Sequence, residues 1–216
     1  ISGASNAQVF NTVGNNIAIY NSYDAFQSNW ENGAFYTNLF IGTSGNNITR
    51  YGVYFNQCAN VSIDQYLIEN VDPTGSASGA AIALNGGYVQ GCVVGNGEFY
   101  NNNRPLLITG TGLGPGSAPT YLGSPSHCFF RNAFFDSGRI DASIVYGQDL
   151  IFNSCWFSNG RSGSGYPGLT ISSCAGVTFT DTQFVNSGAE GCYVSSSANN
   201  VIFEGCSFLN NSVTAG

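Results

Sequence analysis

The sequence predicts an all-β solenoid of parallel strands, coiled with three strands per turn and 22–36 residues per turn. Three features predict it: a twelve-residue pattern that recurs along the chain, a strand-like alternation of apolar residues inside each copy, and a third short apolar segment ahead of most copies. The clearest copy runs from Asn200 to Asn211, and others begin at Gly176, Asp149, His127, Gly91 and Asn60. From Asn60 onward the starts lie 31, 36, 22, 27 and 24 residues apart, the range of supersecondary units that stack into solenoids. An earlier, weaker copy is expected to begin at Asn16, with Ile17 and Ile19.

Counting each copy from offset zero, offsets one and three are apolar, as in Val61 and Ile63, Leu150 and Phe152, and Val201 and Phe203. This is strand alternation, period two. Offset eight is Ile68, Phe99, Phe135, Phe157, Phe184 and Phe208, so the alternation slips phase between offsets three and eight. Offset six is small or sulfur-bearing (Gly97, Ala133, Cys155, Thr182, Cys206), with Tyr66 the exception, and the slip predicts a bend there. The third segment is Gly52–Phe55, Ala80–Leu84, Leu106–Ile108, Ser143–Val145, Gly168–Ile171 and Gly191–Val194. Three strands met always in the same order cannot be joined as hairpins, so neighbouring turns stack in parallel.

This repeat resembles the right-handed parallel β-helix of the pectin-lyase-like superfamily over residues 48–211. Offset ten (Asn70, Asn101, Ser137, Asn159, Asn186, Asn210) is similar to that superfamily's corner asparagine ladder, in which stacked amides donate and accept. The competing explanation is that Asn merely favours turns. Residues 1–216 are expected to form one domain, with irregular early rungs over 1–50 and regular rungs over 51–211. In the early part, Ile41–Ile48 lines up with Val194–Val201, and Asp24–Ala34 is expected to leave the coil as a side excursion. Insertions are expected at Val71–Gly79, Thr109–Ser126 and Arg161–Gly165.

Charge is scarce: five Arg, no Lys and twelve carboxylates give a net charge of −7. No basic patch is available for nucleic acid or anionic lipid, and no apolar run is long enough to span a bilayer. The chain starts at Ile1 and contains no Met, and is read as a piece of a longer protein. Its seven Cys fall on inward positions such as Cys92 and Cys128 at offset one and Cys155 and Cys206 at offset six. Residues two rungs apart lie about 9–10 Å from each other, too far to bridge, so most thiols are expected free and buried. Free thiols fit folding in a reducing cytosol. The Gly-rich stretch Gly110–Gly116 lacks the Lys-Ser/Thr of a phosphate loop. No metal-ligand spacing is present, and no cofactor is expected.

Side-chain alternation turns offsets seven and nine outward. They read Leu67, Glu98, Phe134, Trp156 and Glu69, Tyr100, Asp136, Ser158 over four rungs, three carboxylates interleaved with three aromatics. Aromatic faces stack on sugar rings, and carboxylates bond hydroxyls or serve as acid and base. At rung and strand spacings, Glu98 and Asp136 should have Cα atoms about 8 Å apart, near the separation that inverting glycoside hydrolysis uses. Glu98, Asp136 and Glu69 are therefore candidate catalytic residues, and Trp156, Tyr100 and Phe134 candidate substrate contacts. The same strip, with Leu67, could instead be a subunit interface.

Arg104, Arg139 and Arg161 gather at one corner, where they could bind an acidic polysaccharide or pair with Asp141 or Asp136. His127 stands alone at offset zero beside the long insertion. Among superfamily members this composition is most similar to bacteriophage tailspikes. The resemblance implies a homotrimeric virion protein, folded in the host cytoplasm, that binds and cleaves capsule or O-antigen polysaccharide as a glycoside hydrolase or lyase. The Asn-Thr-Asp, Asp-Asp and Gly-His-Gly motifs of polygalacturonases and the calcium carboxylates of pectate lyases are not found. No family catalytic residue carries over. The alternatives are a non-catalytic virion or adhesin shaft and a secreted, extracellular polysaccharide lyase.

Overall fold

The computed structural model describes residues 9–42, 48–72, 75, 79–86, 88–110, 123–158 and 165–211. Arg161, Asn159 and most of the three insertions lie outside these residues. Within them the regular elements are strands, paired in parallel rung upon rung. A seven-stranded sheet runs from Asp24–Asn29 through Tyr51–Asn56, Ala80–Asn85, Leu106–Thr109, Ala142–Val145 and Leu169–Ser172 to Cys192–Val194. It is built from the third apolar segments. An eleven-stranded sheet carries offsets one to nine, and the remaining side is a narrow ladder of bridges joining Asn32, Ala59, Gln90, Ser126 and Gln148.

The predicted bend has a backbone cause. Offset five holds Gln65, Asn96, Asn132, Ser154, Asp181 and Gly205, all with φ between 47° and 64°. A left-handed residue carrying a Cβ costs about 1–2 kcal/mol, least where a short polar side chain bonds locally, which selects Gly, Asn and Asp. In five rungs one strand passes through the bend, as in Ser62–Glu69, Val93–Tyr100 and Phe129–Asp136; in the last three it divides, as into Gln148–Asn153 and Trp156–Ser158. Offsets zero and ten are left-handed too, at Asn60, Gly91, His127, Asp149, Gly176 and Asn200 and at Asn70, Asn101, Ser137, Asn186 and Asn210.

This spacing corrects the register of the first fifty residues. Ile19 pairs with Ile41 and Ile41 with Ile68, so Ile19 and Ile41 occupy offset eight and the rungs open at Asn11 and Gly33, both left-handed. Asn16, expected to open a rung, is the offset-five bend residue. The alignment of Ile41–Ile48 with Val194–Val201 fails for the same reason. Asp24–Ala34 is no excursion: Asp24–Asn29 pairs with Tyr51–Asn56, and Glu31–Asn32 pairs with Val9–Phe10. Because Asn suits every left-handed corner and corners recur every five residues, an Asn-led pattern matches itself when shifted by five.

The asparagine ladder is also displaced from its expected offset. Offset-ten residues are corner residues, joined at one point by Asn101 Nδ2 donating to Asn70 Oδ1 at 2.7 Å. The amide that satisfies buried backbone lies one place further. Asn102 is fully buried, accepts from the Val71 N–H at 2.9 Å and donates to the Ile68 carbonyl at 3.0 Å. Asn211 does the same for Ser187 N–H (3.0 Å) and Phe184 C=O (2.9 Å) one turn back.

Inward columns fill the coil. At offset eight, Phe99, Phe135, Phe157, Phe184 and Phe208 stack with centroids 4.7–5.4 Å apart and planes within 14°. Phe130, Phe152, Phe179 and Phe203 form a second stack at offset three, 4.5–5.1 Å apart. The stacks meet edge to face, as at Phe152 and Phe157, an arrangement the ring quadrupole favours. Tyr66, the bulky exception at offset six, fits because Gly97 lies on the next rung: a Cβ there would come within 2.5 Å of Tyr66. The cysteines are free, and five are buried. Cys58 and Cys92 approach to 4.0 Å between sulfurs, and burial pushes the Cys155 and Cys174 thiols up to about 12 and about 11.

Replacing Asn102 by Ala leaves a buried N–H and a buried C=O unpaired, an expected loss of about 2–4 kcal/mol of unfolding free energy. Asn101→Gly keeps the left-handed corner and should cost less than about 1 kcal/mol. Denaturant unfolding of the two variants checks which offset carries the corner.

Candidate active site

The acidic and aromatic strip stands on the outer face of the eleven-stranded sheet, past the bend. Pairing sets its order: Leu67 lies opposite Glu98, Glu98 opposite Phe134 and Phe134 opposite Trp156, while Tyr100 lies between Glu69 and Asp136. Glu98 is thus one rung and two residues from Glu69 on one side and from Asp136 on the other, about 8 Å between Cα atoms in each case. Glu69 and Asp136 share an offset two rungs apart, about 10 Å. Phe134 and Tyr100 are each 44% exposed, and the three carboxylates and Trp156 are half-buried. One rung beyond Trp156 stands exposed Gln183, while Val185, beside Ser158, is buried.

This setting changes the chemistry of Glu98. Its carboxyl is raised above the ordinary range, first by burial, then by the charge of Asp136 and then by that of Glu69. A carboxyl raised in this way holds its proton to a higher pH than a free glutamate does. Along the coil axis Phe134 and then Trp156 stand on one side of it and Leu67 on the other, with Tyr100 two residues along its own strand.

The arginine corner comes together in part. Arg104 Nη2 lies 3.8 Å from Asp141 Oδ1, the pairing set against polysaccharide binding above. The Nε atoms of Arg104 and Arg139 are buried with no hydrogen-bond partner, and Arg161 lies outside the described residues. His127 is exposed, its Nε2 3.6 Å from Asp149 Oδ2. A cleft of about 350 Å³ opens beside this pair, lined by Cys128, Phe129, Ile151, Gly176 and Thr178.

Sequence reasoning missed Asp149, whose offset-zero position one rung from His127 was the available signal. It also missed a cluster on the seven-stranded sheet. Asp24 pairs with Arg50, whose guanidinium lies 4.7 Å from the Tyr23 ring centroid and 4.8 Å from that of Tyr51, and Tyr54 stacks on Tyr51 at 4.8 Å. The ring faces are spent on one another and on Arg50, so the cluster ties early rungs together.

No curated protein matches the chain. Among solved structures, a candidate glycosyl hydrolase from Parabacteroides merdae ATCC 43184 is similar at 12% identity and a TM-score of 0.35, over 94% of this chain and 80% of that one. The right-handed beta helix region family matches residues 31–208, which cover the rungs from Gly33 to the last. With its coiled parallel sheets and stacked inward columns, the chain belongs to the right-handed beta helix family.

Proposed function

We propose that the strip binds a polysaccharide chain and hydrolyses it with inversion at the anomeric carbon. The observation that carries this reading is the raised carboxyl of Glu98, set between Glu69 and Asp136 on a surface bearing Tyr100, Phe134 and Trp156. Glu98 donates its proton to the glycosidic oxygen as the bond from that oxygen to the anomeric carbon breaks. A water on the opposite face of the ring attacks that carbon and passes its proton to the Asp136 carboxylate. Parallel side chains rooted about 8 Å apart leave room for the water, as inversion requires. Glu69 adds negative charge that helps hold the Glu98 proton. Trp156, Phe134 and Tyr100 stack on the sugars, and Arg139 with Arg104 would receive an acidic substituent.

The substrate class we assign is bacterial capsule or O-antigen polysaccharide, and the setting a tailspike-like homotrimer on a phage tail. The absence of Lys, the net charge of −7 and the free thiols support it. A second reading, an assembly surface without catalysis, is favoured by the exposure of Phe134 beside Trp156, with Leu67 two rungs away in the same row. The two part at one residue. Trp156→Ala should weaken glycan binding at least about tenfold with the assembly state unchanged by light scattering; release of monomers with glycan binding intact would favour the interface.

Polysaccharide panels read by size exclusion and by absorbance of unsaturated uronate test the reaction type. Shortening without new absorbance is expected, and shortening with it would transfer the reaction to β-elimination. Glu98→Gln should reduce cleavage by at least about a hundredfold, the low end of a general acid's contribution.

The pH dependence follows from the direction of the Glu98 shift. Its folded carboxyl titrates above its unfolded one, so the stability it contributes is full below the unfolded titration and is lost as pH rises through the folded one. Glu98→Gln should therefore melt at an equal or higher temperature than the parent in neutral buffer, and the difference should shrink in acid. Cleavage by the parent should fall on the basic side as Glu98 loses its proton.

A further inference from the structure

A row of apolar side chains runs along the coil on the other side of the bend from the acidic strip. Offset two turns outward by alternation, and parallel pairing joins its residues from rung to rung without a break, from Val13 to Ile202. Its apolar members are Val13, Phe35, Val93, Phe129, Ile151 and Ile202, and Ser62 and Thr178 are its polar ones. Val13, Phe35, Ile151 and Ile202 are exposed, Val13 to 76%. The flanking offsets, zero and four, hold only polar residues or glycine on the same rungs, as in His127 and Arg131 or Asp149 and Asn153. A solvated sheet face is ordinarily polar outward, so an apolar column held between two polar ones marks a surface that another body covers. The left-handed residues Asn132 and Ser154 set this row apart from Phe134 and Trp156 on the same chain segments.

We infer that this row is the line along which three copies of the chain meet, side by side and parallel. The inference rests on the homotrimer proposed above for the number of copies and adds the face they use. Area agrees with that number. Seven steps of about 4.8 Å along the coil and four of about 3.3 Å across it give a face of about 440 Å². Two such faces would bury about 900 Å² and three about 1,300 Å², and only the second figure reaches the roughly 1,200–2,000 Å² of a standard interface. A column one residue wide also suits an axis, where only the central residues of each copy converge, better than a plane laid face to face.

The charges fit the same arrangement. A threefold axis parallel to the coil keeps equal rungs at equal height and brings offset four of one copy beside offset zero of the next. Arg131 then stands beside the partner's His127 and, one rung on, the partner's Asp149, while Asp64 meets the partner's Asn60 and Glu204 the partner's Asn200. No two carboxylates face each other at one height, and the central row carries no charge. The acidic strip, turned away by the bend, stays open to a glycan, so assembly and binding occupy different faces.

The full chain would be sized by light scattering and, with one cysteine added, treated with a short bismaleimide and run on a denaturing gel. The parent should have three times the chain mass. Ile151→Cys should give cross-linked pairs, while Trp156→Cys and the parent, which carries only its native thiols, should not. Phe35→Asp combined with Ile151→Asp places carboxylates on the axis and should lower the mass to that of one chain. Both positions point away from the core, and thermal unfolding checks that the variant is folded. A parent of any other mass would overturn the inference together with the homotrimer. A trimeric parent in which Ile151→Cys gives no pairs, or in which the folded aspartate variant stays trimeric, would overturn the face alone. Cleavage of polysaccharide by the parent is read separately, so failure of the hydrolytic reading is told apart from both.

Discussion

Everything in this molecule depends on parallel, in-register stacking, which places equal offsets of successive rungs about 4.8 Å above one another. A side chain is packed chiefly against its own counterpart one turn away. Two phenylalanine columns meet that condition with ring separations of 4.5–5.4 Å, close to the rung spacing itself. Where one rung departs from the pattern its neighbour compensates, as Gly97 does for Tyr66. The same constraint turns the outer surface into columns, so any chemistry there is spread across rungs rather than gathered by one loop. Glu69, Glu98 and Asp136 become neighbours although 67 residues separate the first from the last.

The coil turns because single residues accept a left-handed backbone, and among the described residues twelve of the twenty-three such non-glycine residues are Asn. That choice explains both what was legible and what was not. Phase slips between offsets three and eight make the bend legible in the sequence. The rungs at Asn11 and Gly33 stayed hidden because corners recur every five residues and Asn serves them all, so Asn16 imitated a start. Asn101 and Asn102 show the same ambiguity at close range: one takes the strained corner and the other satisfies buried backbone, and adjacent identical residues in a sequence do not say which does which.

The strip was readable because parity decides which residues of a strand turn outward, and the observed pairing keeps Leu67, Glu98, Phe134 and Trp156 in one row, although the same parity puts Ser158 and Val185 outward and both are buried. The influence of both neighbouring carboxylates on Glu98 needed three dimensions, since it depends on burial as well as on spacing. The cleft was not readable. His127 was visible as a lone histidine, but Asp149 and Gly176 stood at offset zero, a corner, where parity does not say which way a side chain points. The Arg104–Asp141 pair was foreseen as one of two outcomes, and burial of the Arg104 and Arg139 Nε atoms shows why composition alone could not choose.

The central claim is that backbone spacing along stacked rungs sets the reaction, with carboxylates rooted about 8 Å apart holding a water between them. The most direct measurement is the anomeric configuration of the first reducing end released from a cleaved polysaccharide, followed by proton NMR before mutarotation mixes the anomers. The account predicts inversion relative to the bond cleaved. Retention, or an unsaturated product end, would contradict it by requiring a covalent intermediate or an elimination that this pair of carboxylates is not spaced to perform.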